Sequence, residues 1–321
     1  MPLTLLQLLR THQGRWLTMD ALQAAVHLPP PTILQRLDQL RQMGHHIETT
    51  PAYGFRLSGY VEKLTAELIE YGLGTCRIGR KVLVYESTDS TNDVAWHYAG
   101  EAGFDGLAVF AEYQRAGRGR LRRCWSAPAC SSILCSILLQ GVTSDTGQKL
   151  TLMAGLAVAE AIEDVSSVPM RIKWPNDIIA SGRKLAGIMV ESRKVNGAIA
   201  CIVGIGINCS QAADDFEPEL RTTAVSIRQL IDKDVDRLRL AQQLLIRMDQ
   251  WLVSLDSDQG SGLHDKWLAR CDNIGRRLTL IQDGCEYTGR VIDVSSDQGL
   301  LLQLDSGPVR FFDPATTSVQ P

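Results

Sequence analysis

Ala200-Cys201-Ile202-Val203-Gly204-Ile205-Gly206-Ile207 is apolar at every position and carries two glycines. A strand with one wet face alternates polar and apolar side chains. A run with no polar residue therefore predicts a strand covered on both faces, deep inside a sheet. Glycines within such a strand mark close approach by a ligand or another backbone. Outward from this run, strand patterns fall at 82–85, 107–111, 133–139, 170–174, 185–191 and 198–207, with long helical patterns at 148–165 and 238–255. Strands often follow one another directly, which favours a mixed α+β sheet over a regular parallel α/β repeat. This central domain is assigned residues 76–272.

The flanks differ in character. Residues 1–60 read as three short helices and a β-hairpin. Leu5, Leu6, Leu8 and Leu9 supply the first helix, and Thr18 is an N-cap for the second. Ile33, Leu37 and Leu40 stand at helical spacing in a third, entered through Pro30-Pro31 and stopped at Gly44. A hairpin turning at Pro51-Ala52-Tyr53-Gly54 follows. The pattern is that of a winged helix-turn-helix, whose third helix would enter a DNA major groove. Thr32, Gln35, Arg36 and Arg41 are its candidate contacts. A small interaction domain without a DNA target fits the same pattern, since the wing has no lysine and the third helix opens on prolines. Residues 61–75 read as a linking helix (Val61, Leu64, Leu68, Ile69) closed by Gly72 and Gly74. After Asn273 come short strands at 278–281, 287–294, 300–304 and 309–312, separated by Asp283-Gly284, Gln298-Gly299 and Ser306-Gly307 turns. A small β-barrel over 273–321 is expected from them.

The 321 residues are 45% hydrophobic with a net charge of -3, which excludes a chain that is basic throughout; a nucleic-acid role falls to a local patch. Met1-Pro2-Leu3-Thr4 lacks the basic start of a secretory signal, and the most apolar internal run, 153–159, is too short to cross a bilayer. The eight cysteines form no Cys-x-x-Cys pair, so reduced thiols and a cytoplasmic location are expected, with no membrane partner. No cysteine spacing completes a zinc set around His45-His46.

Five motifs could carry chemistry. Gln114-Arg115-Ala116-Gly117-Arg118-Gly119-Arg120-Leu121-Arg122-Arg123-Cys124-Trp125 crowds five arginines into nine residues. Guanidinium forks recognise phosphate in pairs of hydrogen bonds, and a bound anion would relieve the mutual repulsion. Lys173-Trp174-Pro175-Asn176-Asp177 sets a cation, an amide and a carboxylate at one strand end. There Asp177 could hold Mg²⁺, Lys173 oppose phosphate and Asn176 read a base edge, or the whole be a capped turn. In Gly182-Arg183-Lys184-Leu185-Ala186-Gly187, Lys184 begins a buried strand, facing an anion or simply solvent. Gly204-Ile205-Gly206-Ile207-Asn208 lacks the third glycine of a dinucleotide fingerprint. Ser90-Thr91-Asn92 are three small hydrogen-bonding residues, and capping of a helix beginning near Asp93 is the favoured reading of them taken alone.

Together and in this order, these motifs resemble those of the biotin protein ligases. With the winged helix in front, the chain is similar to the bifunctional biotin ligase and biotin operon repressor proteins. The resemblance implies an α+β chain with an N-terminal winged helix-turn-helix, a central mixed-sheet ligase domain and a C-terminal SH3-like barrel. It implies ATP-dependent activation of biotin to biotinyl-5′-AMP, then transfer to a lysine of a biotin carboxyl carrier domain such as that of acetyl-CoA carboxylase. Arg118, Lys173 and Lys184 would be catalytic. Ser90, Thr91, Asn92, Gln114, Gly117, Arg118, Gly119, Arg120, Lys184, Gly187 and Gly204 would bind biotin. Arg118, Arg120, Arg123, Trp125, Asn176, Lys184, Ile207 and Asn208 would bind ATP or the adenylate, and Asp177 the Mg²⁺. Biotin operator DNA and a homodimer favoured by bound biotinyl-AMP complete the implied partners.

Two departures stand out. Repressor-type members carry a further glycine and a lysine where this loop has Arg122 and Cys124. The proline entry to the third helix and the lysine-free wing depart at the DNA-reading surface. The alternatives are a ligase whose first domain no longer binds DNA, a lipoate or octanoyl ligase, and a ligand-sensing transcription factor without turnover.

Overall fold

The computed structural model describes residues 5–42, 45–59, 63–256, 262–295 and 297–320. The chain divides into two compact units, Met1–Lys63 and Leu64–Pro321. The expected stop at Gly44, the Val61 position and the opening Met1-Pro2-Leu3-Thr4 lie outside the described residues.

In the first unit, helices α1 (Leu5–Thr11), α2 (Met19–Val26) and α3 (Pro30–Gln42) precede a hairpin of β1 (His46–Thr50) and β2 (Gly54–Gly59). Thr18 caps α2 by accepting from the Ala21 N–H at 3.2 Å. The spacing of α3 buries Ile33, Leu37 and Leu40, in the same unit as Leu5, Leu9, Leu22 and Leu57. Gly54 is required at the turn: its φ is +89°, and a Cβ there would stand 2.2 Å from the Leu17 carbonyl oxygen.

The second unit opens with a short helix, α4 (Ala66–Glu70), capped by the Thr65 hydroxyl. A seven-stranded sheet follows: β3 (Val82–Tyr85), β4 (Ala108–Ala111), β5 (Ser132–Gln140), β6 (Arg171–Lys173), β7 (Asp177–Ala180), β8 (Arg183–Val195) and β9 (Ala198–Asn208). Their order is β3-β4-β5-β9-β8-β7-β6. Only β3 and β4 pair in parallel; the other neighbours are antiparallel. The sheet is mixed, as the closely spaced strands predict.

Helices α5 (Thr91–His97), α6 (Ser144–Ser166), α7 (Ile227–Ile231), α8 (Arg237–Asp256) and α9 (Leu263–Arg270) complete the unit. Cys201, Val203, Ile205 and Ile207 of β9 belong to the large core that includes Met153 and Leu156 of α6 and Leu240 and Leu244 of α8. Each such side chain contributes about 1.5–3 kcal/mol by burial. The opposite face is covered over half its length only. There Ala200 and Ile202 pack with Ala95 and Trp96 of α5. Where the cover ends, β9 changes from side chains to Gly204 and Gly206, and the sheet is open.

One ion pair lies inside this core. The Arg237 guanidinium meets the Glu112 carboxylate with side chains 1% and 5% exposed. Glu112 also accepts the Leu64 N–H at 2.6 Å, and Arg237 Nε donates to the Ser132 carbonyl at 3.2 Å.

The C-terminal strands correct an expectation. β10 (Arg277–Gln282), β11 (Cys285–Ser295), β12 (Gly299–Leu304), β13 (Val309–Phe312) and β14 (Thr317–Val319) form an open antiparallel sheet in the order β13-β12-β11-β10-β14. No SH3-like barrel closes. A barrel needs its edge strands to pair, but β14 has only three residues and crosses to β10, matching Leu280 with Val319. The sheet buries its apolar face differently. Leu280, Val291, Leu300, Leu302 and Phe312 join the same core as Leu263 and Trp267 of α9, so closure is not needed to hide them. Among the described residues no helix is long and apolar enough to cross a membrane.

Candidate active site

A cavity of about 680 Å³ lies over the open half of the sheet. Gly204 and Gly206 of β9 and Gly187 of β8 line it. A Cβ on Gly204 would stand 2.5 Å from Asn92 Oδ1, and one on Gly206 would stand 2.5 Å from Trp125 Cε2. The glycines are therefore what lets α5 and the indole approach the sheet.

At one end, Ser90, Thr91 and Asn92 open α5, and all three are buried. Ser90 makes no side-chain cap bond, so capping does not explain it. Gln114 Oε1 accepts both the Thr91 N–H at 2.7 Å and the Thr91 hydroxyl at 3.0 Å.

The arginine loop closes on itself. Trp125 N–H donates to the Gly117 carbonyl at 2.9 Å and Gly119 N–H to the Arg123 carbonyl at 2.7 Å. Arg118, Arg120 and Arg123 all line the cavity, but their surroundings differ. Arg118 donates both terminal nitrogens to Asp93, at 2.7 and 2.6 Å. This hydrogen-bonded guanidinium holds the Asp93 carboxyl below its ordinary range, and the arginine is pushed up in turn. Arg120 turns inward, donating to Asn176 Oδ1 at 3.2 Å and the Thr317 carbonyl at 3.5 Å. Burial lowers its pKa, against the opposing pull of Asp177.

At the other end stand Lys173, Asn176, Asp177 and Lys184. Lys184 is clamped through its backbone: its N–H donates to the Thr223 carbonyl at 2.7 Å, and its carbonyl accepts from Val225 at 2.9 Å. Its ammonium lies 2.6 Å from Asp177 Oδ1 and 5.7 Å from the centre of the Trp125 ring. Asn176 fixes the corner by donating to the Ile188 carbonyl at 2.6 Å. Asp177 Oδ1 is buried without a hydrogen bond, Lys184 being its neighbour. Among the described residues no three metal-ligating side chains cluster. Asp177 is the carboxylate at this end that could hold Mg²⁺, with the remaining ligands drawn from nucleotide and water.

The cavity therefore gathers Ser90, Thr91, Asn92, Gln114, Arg118, Gly119, Arg120, Arg123, Trp125, Lys173, Asn176, Asp177, Lys184, Gly187, Gly204 and Asn208. Two of the expected residues are not in its wall. Ile207 is fully buried in the opposite core, where strand alternation puts it. Gly117 lies against the Trp125 carbonyl oxygen, 2.4 Å from where its Cβ would stand. Asn208 lines the cavity with its amide already engaged: it donates to the Val225 carbonyl at 3.2 Å and accepts from Gln211 at 3.2 Å. It holds the segment that clamps Lys184.

Thr223 and Ala224, and Thr317 to Val319 of the C-terminal sheet, line the cavity without any motif to announce them. Met189 was findable, because alternation from Gly187 puts it on the same face. On α3 of the first unit, Gln35 is exposed while Thr32 and Arg36 are half-buried. Arg41 is turned to the hairpin instead, bonding Asp38 at 2.7 Å, the Ile47 carbonyl at 3.1 Å and Thr49.

Residues 84–208 match the model of the biotin/lipoate A/B protein ligase family. The chain is 30% identical over 308 residues to the bifunctional ligase/repressor BirA of Escherichia coli, covering 95% of this chain and 92% of that one. It is 28% identical to the BirA of Bacillus subtilis, covering 86% and 85%. A solved biotin protein ligase from Aquifex aeolicus, in complex with biotin and ATP, matches with a TM-score of 0.64 and 25% identity, covering 75% of this chain and 99% of that one. The chain belongs to the biotin protein ligase family and is an enzyme of that family.

Proposed function

We propose that this cavity activates biotin with ATP and transfers it to a lysine of a biotin carrier protein. A biotin carboxylate oxygen attacks the α-phosphorus of ATP. The new C–O–P link forms as the α–β phosphoanhydride bond breaks and pyrophosphate leaves. The carrier's neutral lysine amine then attacks the acyl carbon, forming an amide and expelling AMP. The obstacle in the first step is the repulsion between two anions, which preorganised cations remove.

The observation that carries the reading is one cavity with a polar, neutral end and a cationic end. Ser90, Thr91, Asn92 and Gln114 suit the ureido ring, with its two N–H donors and one carbonyl. Lys184, Arg120 and Lys173 suit the carboxylate and phosphates, and the Trp125 indole offers an apolar wall to adenine. Asp177 would hold Mg²⁺, which when bound would further neutralise phosphate charge. Incubation with Mg-ATP, biotin and a carrier domain should label the carrier, and lipoate should not. Labelling by lipoate alone would move the assignment to the sister ligases.

We further propose that the first unit binds operator DNA as part of a homodimer favoured by biotinyl-AMP. The support is α3 packed beside a β-hairpin wing, with Gln35 exposed on that helix and Thr32 and Arg36 near it. Arg41, engaged with the hairpin, is the weakest of the four expected contacts. A gel shift should show operator duplex retarded more strongly with biotinyl-AMP than without. Equal affinity for random duplex would end the repressor reading.

A further inference from the structure

Beside the glycine floor, one carboxylate orders a chain of polar groups that reaches the biotin end. Glu191 of β8 accepts from Asn92 Nδ2 at 2.7 Å and from Trp96 Nε1 at 2.8 Å. The Arg193 guanidinium lies 3.6 Å from the same carboxylate and stacks on Trp96 at 4.2 Å. Asn92 is 3% exposed and Ser136 0%, so little water reaches either group. With its Nδ2 on the carboxylate, Asn92 turns Oδ1 to Ser136 Oγ at 2.6 Å.

Proton counting then fixes the rest. An amide oxygen has no hydrogen to give and a hydroxyl has one. Ser136 therefore donates to Asn92 and has no second proton for its other contact, Thr91 Oγ1, 2.6 Å away. The single Thr91 proton is directed to Ser136 Oγ or to Gln114 Oε1, both acceptors here. Either way, Thr91 offers the cavity lone pairs only. Gln114, with Oε1 taken by the Thr91 N–H, keeps Nε2 as a donor.

We propose that Glu191 is a positioning residue that sets the donor and acceptor order of the biotin head-group pocket through Asn92, Ser136, Thr91 and Gln114. The inference rests on the biotin-ligase reading and deepens it. An acceptor at Thr91 and a donor at Gln114 match the N–H and C=O edges of a ureido ring. Reversing the Asn92 amide would set its oxygen against the Glu191 carboxylate, acceptor against acceptor.

The test compares steady-state constants of the full-length protein. Glu191→Gln presents an amide in place of the carboxylate and releases the fixed sense of Asn92. It should raise KM for biotin by about tenfold or more, with kcat at saturating biotin and KM for ATP nearly unchanged. The pair Glu191→Gln with Asn92→Asp restores the order: the amide introduced on β8 would donate to the carboxylate introduced on α5, whose other oxygen takes the Ser136 proton. The double variant's KM for biotin should fall back toward wild type. Trp96→Phe removes the second donor to Glu191 and should give an intermediate rise, which keeps the test alive if Glu191→Gln folds poorly. Unchanged biotin KM in Glu191→Gln, a parallel rise in ATP KM, or a double variant worse than the single overturns the proposal. An inactive wild type would instead count against the ligase reading.

Discussion

Lys184→Met slows biotinyl-AMP formation by about 10²–10³-fold while leaving the protein folded. Methionine keeps an unbranched stem in the space beside Gly187 and Trp125 but removes the ammonium. The clamp that places position 184 is made by backbone groups of Thr223 and Val225, which the substitution does not touch. What is lost is the positive charge 2.6 Å from Asp177, at the end of the cavity proposed above to take the two substrate anions. Asp177 then loses its nearest cation. Single-turnover pyrophosphate release with saturating biotin and Mg-ATP measures the step directly. A rate within about twofold of wild type, at equal thermal stability, would remove Lys184 from the chemistry.

The second large effect is on stability. Arg237→Met leaves the Glu112 carboxylate buried without its counter-charge, and breaking such a pair costs about 3–5 kcal/mol. The Ser132 carbonyl loses its Arg237 donor as well. Adding Glu112→Gln should recover part of the loss, because a neutral amide still accepts the Leu64 N–H and carries no buried charge. Urea unfolding of the three proteins decides it. A loss below about 1 kcal/mol for the single variant would mean that water or another cation reaches Glu112.

Glu112 also shows where sequence reading ends. It stands two residues before Gln114, at the entrance to the arginine loop, where a carboxylate would suit a site. Its work is internal, and nothing in the sequence pairs it with a residue more than a hundred positions away. The central sheet was legible because the 200–207 run obeys a local rule: an apolar strand is covered on both faces, here in full on one and up to Ile202 on the other, with the glycines marking the open part. The cationic end was legible because Lys173, Asp177 and Lys184 sit at strand ends, and a strand end fixes where a side chain emerges. Ile207 is misplaced unless the alternation rule is applied, which puts it opposite Gly206. Four of the five C-terminal strands were read near their observed places, but β14 was not expected, and barrel closure depends on which edge it meets; strand patterns carry no pairing partner. Thr223 and Ala224 reach the cavity through backbone bridges to Lys184, which any sequence of suitable length can make.

The Arg118–Asp93 fork bears on how the arginine loop would take an anion. Five clustered cations would repel one another, yet two of them already carry intramolecular counter-ions, Arg115 on Asp89 at 2.7 Å and Arg118 on Asp93 at 2.6 Å. An incoming anion that takes Arg118 by the same edge must therefore evict Asp93, so occupancy proceeds by ion exchange rather than by capture. The freed carboxylate would then lie beside the first turn of α5, where the helix's positive end can host it.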